Sequence, residues 1–210
     1  MGYTHYWYRE KEIEKNTMLK IVQDFKKMLP IIEHLGIQLA DGFGEKTPVI
    51  DLQRIWFNGK SKCGHLKNEE ITIPWPSKEA GGVAEYTENV KSGNWFAGAK
   101  IDKRCCDGDC SYETVNFPKV ITKEYMQQDK DTGLFFECCK TAYRPYDLAL
   151  NILLIIATHY LKDKIEVHSD GEMTHWQEGM MLCQIHLGYG LKFILKNKKC
   201  LNKKKGSENA

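Results

Sequence analysis

Polar and apolar positions alternate from the start of the chain. Tyr3, His5 and Trp7 fall on one side of a period of two and Thr4, Tyr6 and Tyr8 on the other, which predicts a strand with aromatic rings on both faces. A strand dressed on both faces belongs inside a sheet. Over residues 10–35 the period lengthens to that of a helix, with Ile13, Met18, Ile21, Phe25, Met28 and Ile32 on one stripe. Gly36 is placed to close this helix in a left-handed conformation, and Pro30 is expected to kink or split it. Residues 37–40 read as a short strand, DGFGEKTP as turns, and residues 50–57 as a strand closed by Asn58-Gly59, a favoured hairpin turn. Residues 60–103 carry no period. Pro74, Pro76, Gly81 and Gly82 interrupt them, so a loop-rich insertion is expected over residues 60–110, a kind of segment that often serves as a lid or binding loop.

Regular patterning returns with a strand over residues 112–117 and strengthens after it. In LFFECCK, Leu134, Phe136, Cys138 and Lys140 share one strand face, and Phe135, Glu137, Cys139 and Thr141 the other. Pro145 suits the first turn of a helix, where a missing N–H costs nothing. From Leu148 to Leu161 the helix is apolar nearly all round and must be packed on several sides. Only Lys162 and Asp163 separate it from a strand over residues 164–168, so a parallel, right-handed crossover is the natural connection. A last helix shows the stripe Met173, Trp176, Met180, Cys183 and Leu187. Together these elements predict an α+β fold: one domain over residues 1–190 with packed helices and a mixed sheet containing one βαβ unit. A basic, flexible tail is expected over residues 191–210.

Composition narrows the class. With 210 residues, 42% hydrophobic and 28% charged, the chain is that of a globular protein, and a formal charge of +2 is too small to argue for nucleic acid by itself. The basic surplus lies in KNKKCLNKKKGSENA, a stretch that reads first as a solvated terminus and second as a phosphate contact. The start MGYTHYWYR resembles neither a signal nor a transit peptide. The longest apolar run, between Asn151 and Thr158, falls well short of the roughly 18 residues of a spanning helix. No membrane association is expected, and a cytoplasmic location is. The eight cysteines include two adjacent pairs, which favours reduced thiols over a disulfide framework.

The crossover directs attention to one sheet edge. Both of its strands would finish there, bringing CCKTAYRPYD beside HSDG at the place where open α/β sheets bind ligands. Lys140 and Arg144, with two helix N-termini, favour an anion such as phosphate or carboxylate. Thr141, Tyr146, Ser169 and Tyr3 are further ligand-binding candidates. Asp170 and Asp147 are candidates for a base or a sugar-hydroxyl acceptor, and His5 and Glu113 for acid–base work if their strands reach the same cleft. A plainer reading stands beside this one: Ser169 and Glu172 have the spacing of a capping box, and Asp147 compensates a helix dipole. Cys139 next to Lys140 has the setting of an activated thiolate, although cysteines in apolar strands are mostly core. Cys63, His65, Cys106 and Cys110 offer the soft ligands of a tetrahedral structural zinc, with imperfect ribbon spacing and packed free thiols as the alternative. Motifs for ATPases, dinucleotide binding, zinc proteases, serine hydrolases and zinc deaminases are absent.

GYTHYW at the start, IWFNG at 55–59, WFAG and CDGDCSYET within 95–114, CCKTAYRPYDLA at 138–149 and HSDG with Trp176 beyond it resemble a family of uncharacterised proteins of bacteriophages and related microbial genomes. The resemblance spans nearly the whole chain and assigns no activity. It implies an accessory protein acting in host cytoplasm on a nucleotide, a nucleic acid or a host factor. Two functions are therefore expected in order: binding, with or without transformation, of an anionic small molecule of the nucleotide class, and non-enzymatic binding of a host protein or nucleic acid through the loop-rich section and the basic tail.

Overall fold

The computed structural model describes residues 3–66, 70–72, 95–96, 99–100, 103–122 and 128–196. The chain opens with β1 (Thr4–Arg9) and α1 (Lys15–His34). Four short strands follow in sequence: β2 (Leu39–Ala40), β3 (Val49–Ile50), β4 (Arg54–Gly59) and β5 (Glu70–Thr72). Then come β6 (Trp95–Phe96), β7 (Ala99–Lys100), β8 (Lys103–Cys105), β9 (Val115–Pro118) and β10 (Phe135–Lys140). The chain closes with α2 (Asp147–Leu161), β11 (Ile165–Ser169) and α3 (Gln177–Leu187). The α+β class expected from the patterning is the class observed.

β1 is the centre of the first sheet, whose order is β10-β1-β11. It earns that place by its two-faced pattern: His5, Trp7 and Arg9 are buried, while Thr4, Tyr6 and Tyr8 stay half-covered on the other face. The register sets His5 between Cys139 and Ser169. β10 and β11 run in the same direction, as a short strand–helix–strand connection requires. β1 lies antiparallel between them, however, so the parallel ladder of an adjacent βαβ unit is replaced by two antiparallel ones. Among the described residues every ladder is antiparallel.

The second sheet is built on β4, which pairs with β2, β3 and β9. Asn58 and Gly59 do not form the expected turn. They pair with Ala40 and Leu39 as the end of β4, and the hairpin turn lies at residues 51–53, where Asp51 Oδ1 accepts from the N–H groups of Gln53 and Arg54. Asn58 is buried, donating through Nδ2 to the Tyr112 carbonyl and accepting from Tyr112 N–H, which explains a turn-type residue inside a strand.

α2 carries the core. Every residue from Asp147 to Ala157 is buried, and the helix packs against α1, α3 and β11. α1 contributes Met18, Ile21, Phe25, Met28 and Ile32. It begins later than its hydrophobic stripe suggests, because Ile13 N–H donates to the Lys119 carbonyl and Glu12 bridges Val120 in an extended conformation. The helix runs unbroken past Pro30, and Gly36 closes its end at φ 79°. The C-terminal stretch begins packed rather than free: Phe193 is buried on Trp176, with ring centroids 4.8 Å apart, and Lys196 N–H donates to Val167. Residues 197–210, most of the expected tail, and most of the loop-rich insertion lie outside the described residues. No helix among the described residues is long and apolar enough to cross a membrane.

Candidate functional site

Two clusters of chemically capable side chains emerge, joined by one strand. The first is a four-residue Cys/His set. Cys63 and His65 follow β4, separated by Gly64 at φ 84°, and Cys106 and Cys110 flank a turn carried by Asp107 at φ 52° and Gly108 at φ 84°. The ligand atoms of all four lie within 4.8 Å of one another. Cys63 Sγ is 3.6 Å from Cys106 Sγ, and His65 Nδ1 is 3.3 Å from Cys106 Sγ and 3.4 Å from Cys110 Sγ. A tetrahedral ion with bonds of about 2.3 Å to sulfur and 2.0–2.1 Å to nitrogen has edges of about 3.8 Å and 3.5 Å, so these residues fit a metal ion. Three buried thiols this close cannot all ionise unaided. Burial alone would raise the Cys63 thiol, but the His65 backbone N–H and the neighbouring thiols donate to it and hold it below its usual range. Burial pushes the Cys106 and Cys110 thiols up, and negative charge on a neighbouring sulfur adds to the effect.

The second cluster is buried where β1, the β10–α2 turn and α3 meet. Asp147, the first residue of α2, lies 2.8 Å from His5 Nε2 through Oδ1, which also accepts from the Thr141 hydroxyl. Asn151 Nδ2 donates to Oδ2 at 3.3 Å, and the Arg104 guanidinium approaches the same oxygen at 3.8 Å. Arg104 Nη1 donates to Glu178 at 2.8 Å, and its plane lies over the Tyr143 ring, 4.8 Å from the centroid. His5, Thr141, Arg104, Asp147 and Asn151 are wholly buried. Burial works to raise the Asp147 carboxyl, but the His5 charge and hydrogen bond, then Arg104 and Thr141, outweigh it and hold the group below the usual carboxylate range. An ionised Asp147 can only accept, so His5 Nε2 carries the hydrogen and Nδ1 faces away from the carboxylate. His5 Nδ1, Arg104 Nε, Asn151 Oδ1 and Trp176 Nε1 find no hydrogen-bond partner among the described residues.

Over this floor lies an aromatic rim. Tyr143 stands on a tight turn with Ala142 and Tyr143 at φ 49° and 57°, a left-handed pair without glycine, closed by Arg144 N–H donating to the Thr141 carbonyl. Its ring meets Tyr3 edge-on at 4.8 Å, and His175 lies 5.8 Å from Tyr3.

The expected edge is therefore assembled, with its residues in unequal roles. His5, Thr141 and Asp147 form the buried core of the cluster, and Tyr3 contributes to the rim. Arg144 is half-buried next to Tyr143, whereas Lys140, half-buried at the end of β10, pairs with Thr4 on the sheet face opposite His5, with its Nζ 5.6 Å from the Tyr112 ring centroid. Tyr146 is wholly buried, its hydroxyl donating to the Glu113 carbonyl, which makes it a structural tie rather than a ligand contact. The Glu113 carboxylate accepts from Lys140 N–H at 2.6 Å on the outside of β10, away from the His5 pair. Asp170 accepts from Thr4 N–H and the Tyr6 hydroxyl, and Ser169 Oγ from Gly171 N–H. The capping box forms three residues later than its spacing suggested, between Glu172 and His175. Burial first, then Glu113, pushes the Cys139 thiol up, the reverse of an activated thiolate. Arg104, Glu178, Asn151 and Trp176 escape sequence reasoning. Arg104 sits in the aperiodic insertion, and Glu178 lies off the predicted stripe of Met173, Trp176, Met180, Cys183 and Leu187, on the face of α3 that is buried with Gly179, Leu182 and Cys183. Comparison with family models, curated proteins and solved structures gave no match to this chain.

Proposed function

We propose that the chain binds an anionic small molecule of the nucleotide class at the sheet edge formed by the β10–α2 turn and the residues after β11. The observation that supports this reading is the unspent hydrogen-bonding capacity of His5, Arg104, Asn151 and Trp176, gathered around Asp147 beneath the rim of Tyr3, Tyr143 and His175. Buried polar groups are normally satisfied, so such a set asks for a polar occupant, water or ligand. Arg144, next to Tyr143 in the rim, and Lys140, at the end of β10, supply positive charge suited to phosphate, and aromatic rings suit a planar base. The phage-type resemblance, with its implied setting in host cytoplasm, accords with this reading. Calorimetric titration with ATP and with inorganic phosphate tests it. Arg144→Ala and Lys140→Ala should each weaken nucleotide binding about tenfold, the loss of one charge-assisted hydrogen bond. Absence of binding, or binding unchanged in both folded variants, sinks the proposal. Binding of nucleic acid or a host protein that is lost only on truncating residues 197–210 favours the second function instead.

The ion held by Cys63, His65, Cys106 and Cys110 is, in this reading, zinc. Three thiolates and an imidazole leave no open position, which makes the ion a structural staple rather than a catalytic centre. Elemental analysis of protein purified without chelator should find one zinc per chain, lost in Cys110→Ser. Metal-free wild-type protein would refute it.

A further inference from the structure

One residue connects the two clusters. Arg104 lies on β8, two residues before the ligand Cys106. The β5–β8 register sets Glu70 opposite Cys105, so this ladder starts beside the ligand set, with Cys63 and His65 on one arm and Cys106 and Cys110 on the other. Cys63, Cys106 and Cys110 form a buried group separate from the main core. Three thiols offer too little apolar surface to hold two loops together, and an ion is the ordinary source of cohesion in so small an interior. From this anchored point the Arg104 side chain runs, fully buried, to Glu178 on α3 and Asp147 on α2. A strand residue advances about 3.3 Å, so coordination of Cys106 leaves Arg104 little freedom to withdraw.

We propose that occupancy of the Cys63/His65/Cys106/Cys110 centre governs the buried polar site, the bound ion fixing β8 and so holding the Arg104 guanidinium between Asp147 and Glu178. The inference rests on the metal reading above and extends it from a staple to a control. Arg104 is a positioning residue, acting through Asp147 on His5 and Thr141. When the ion leaves, β8 loses its anchor and the cation withdraws from two buried carboxylates. The first turns of α2 and α3, which Arg104 bridges, then loosen.

Hydrogen exchange read by mass spectrometry on the full, zinc-loaded chain, before and after chelation under reducing conditions, tests this, with zinc content followed in parallel. Zinc removal should speed exchange across residues 175–180, which hold no metal ligand, about tenfold. Arg104→Met should keep its zinc yet exchange fast there already, with little added by chelation, and Arg104→Lys should restore part of the protection. If Arg104→Met fails to fold, Glu178→Gln removes the same ion pair at constant size and carries the same expectation. Unchanged exchange at 175–180 in zinc-depleted wild type overturns the coupling, as does equal acceleration in wild type and Arg104→Met. Wild-type protein that never carries zinc overturns the metal reading itself, which separates the two failures.

Discussion

Arg9 and Glu137 show how strictly a buried charge depends on its partner. Arg9 Nε donates to Glu137 at 2.7 Å, its other N–H groups reach the carbonyls of Glu10 and Pro118, and its plane lies 4.9 Å from the Phe117 ring centroid. Trp7 Nε1 donates to the same carboxylate at 3.0 Å. Burial pulls the Arg9 pKa down, and Glu137 opposes it. Removing the carboxylate strands a buried cation, so Glu137→Ala should cost about 3–5 kcal/mol in urea unfolding. The double change Arg9→Met with Glu137→Leu should cost less than Glu137→Ala alone, because it leaves no orphaned charge; equal or greater loss would mean the pair itself supplies net stability. Gly59 is a second position where one atom decides. A Cβ there would fall 2.0 Å from the Cys110 carbonyl oxygen, backbone that cannot swing aside. Gly59→Ala should therefore displace Cys110 and weaken the zinc binding proposed above, measured against a folded wild-type control.

Among the elements, α1 contains a defect that its packing tolerates. Pro30 is exposed and inside the helix, where it removes one backbone hydrogen bond and gains no contact in the core. Pro30→Ala should raise the unfolding free energy by about 1–3 kcal/mol, and a decrease would show that the proline shapes the helix for a purpose. The persistence of α1 across Pro30 illustrates what was legible in the sequence. Its apolar stripe and the all-round apolar surface of α2 announce both helices, since each pattern is local and strong. β1 announces its central place through rings on both faces, but which strands flank it depends on pairings across more than a hundred residues, which no period records. Asn58-Gly59 misleads because β2 and Tyr112 supply its partners from a distance. The same holds within the site. His5, Thr141 and Asp147 sit at the ends of strongly patterned elements and can be found. Arg104 and Glu178, 74 residues apart, reveal themselves only in three dimensions. The Cys63, His65, Cys106 and Cys110 set is recognisable by residue type, while its convergence needs the turns at Gly64 and Gly108.

For the molecule as a whole, the buried carboxylates Asp24, Asp41 and Asp147 contribute to the response to acid. Asp24 ties α1 to α2 and to the segment after α3, accepting from Lys27 at 2.7 Å, from the Tyr160 hydroxyl, and from the Tyr189 hydroxyl at 2.8 Å. Burial works to raise its carboxyl, but the donors outweigh burial and hold it below the usual range, as His5 and Arg104 do for Asp147. Both pKa values are therefore lower in the folded than in the unfolded chain. The unfolded state binds more protons in acid, so this stability is complete above the unfolded value of about 4 and is lost as pH falls through the folded values. Urea midpoints should change little between about pH 5 and 7 on this account and fall steeply below about pH 4. In the zinc-bound form proposed above, acid would also release the ion, a separate loss that lowers stability without involving Asp24. The comparison that isolates the carboxylate is Asp24→Asn against wild type at each pH, since zinc release is common to both and cancels. Asp24→Asn should be the weaker protein at neutral pH, with the gap narrowing as Asp24 in the wild type becomes protonated. A gap that stays constant to about pH 2 would show that the charge of Asp24 contributes nothing, and that its hydrogen bonds to Tyr160 and Tyr189 act through geometry alone.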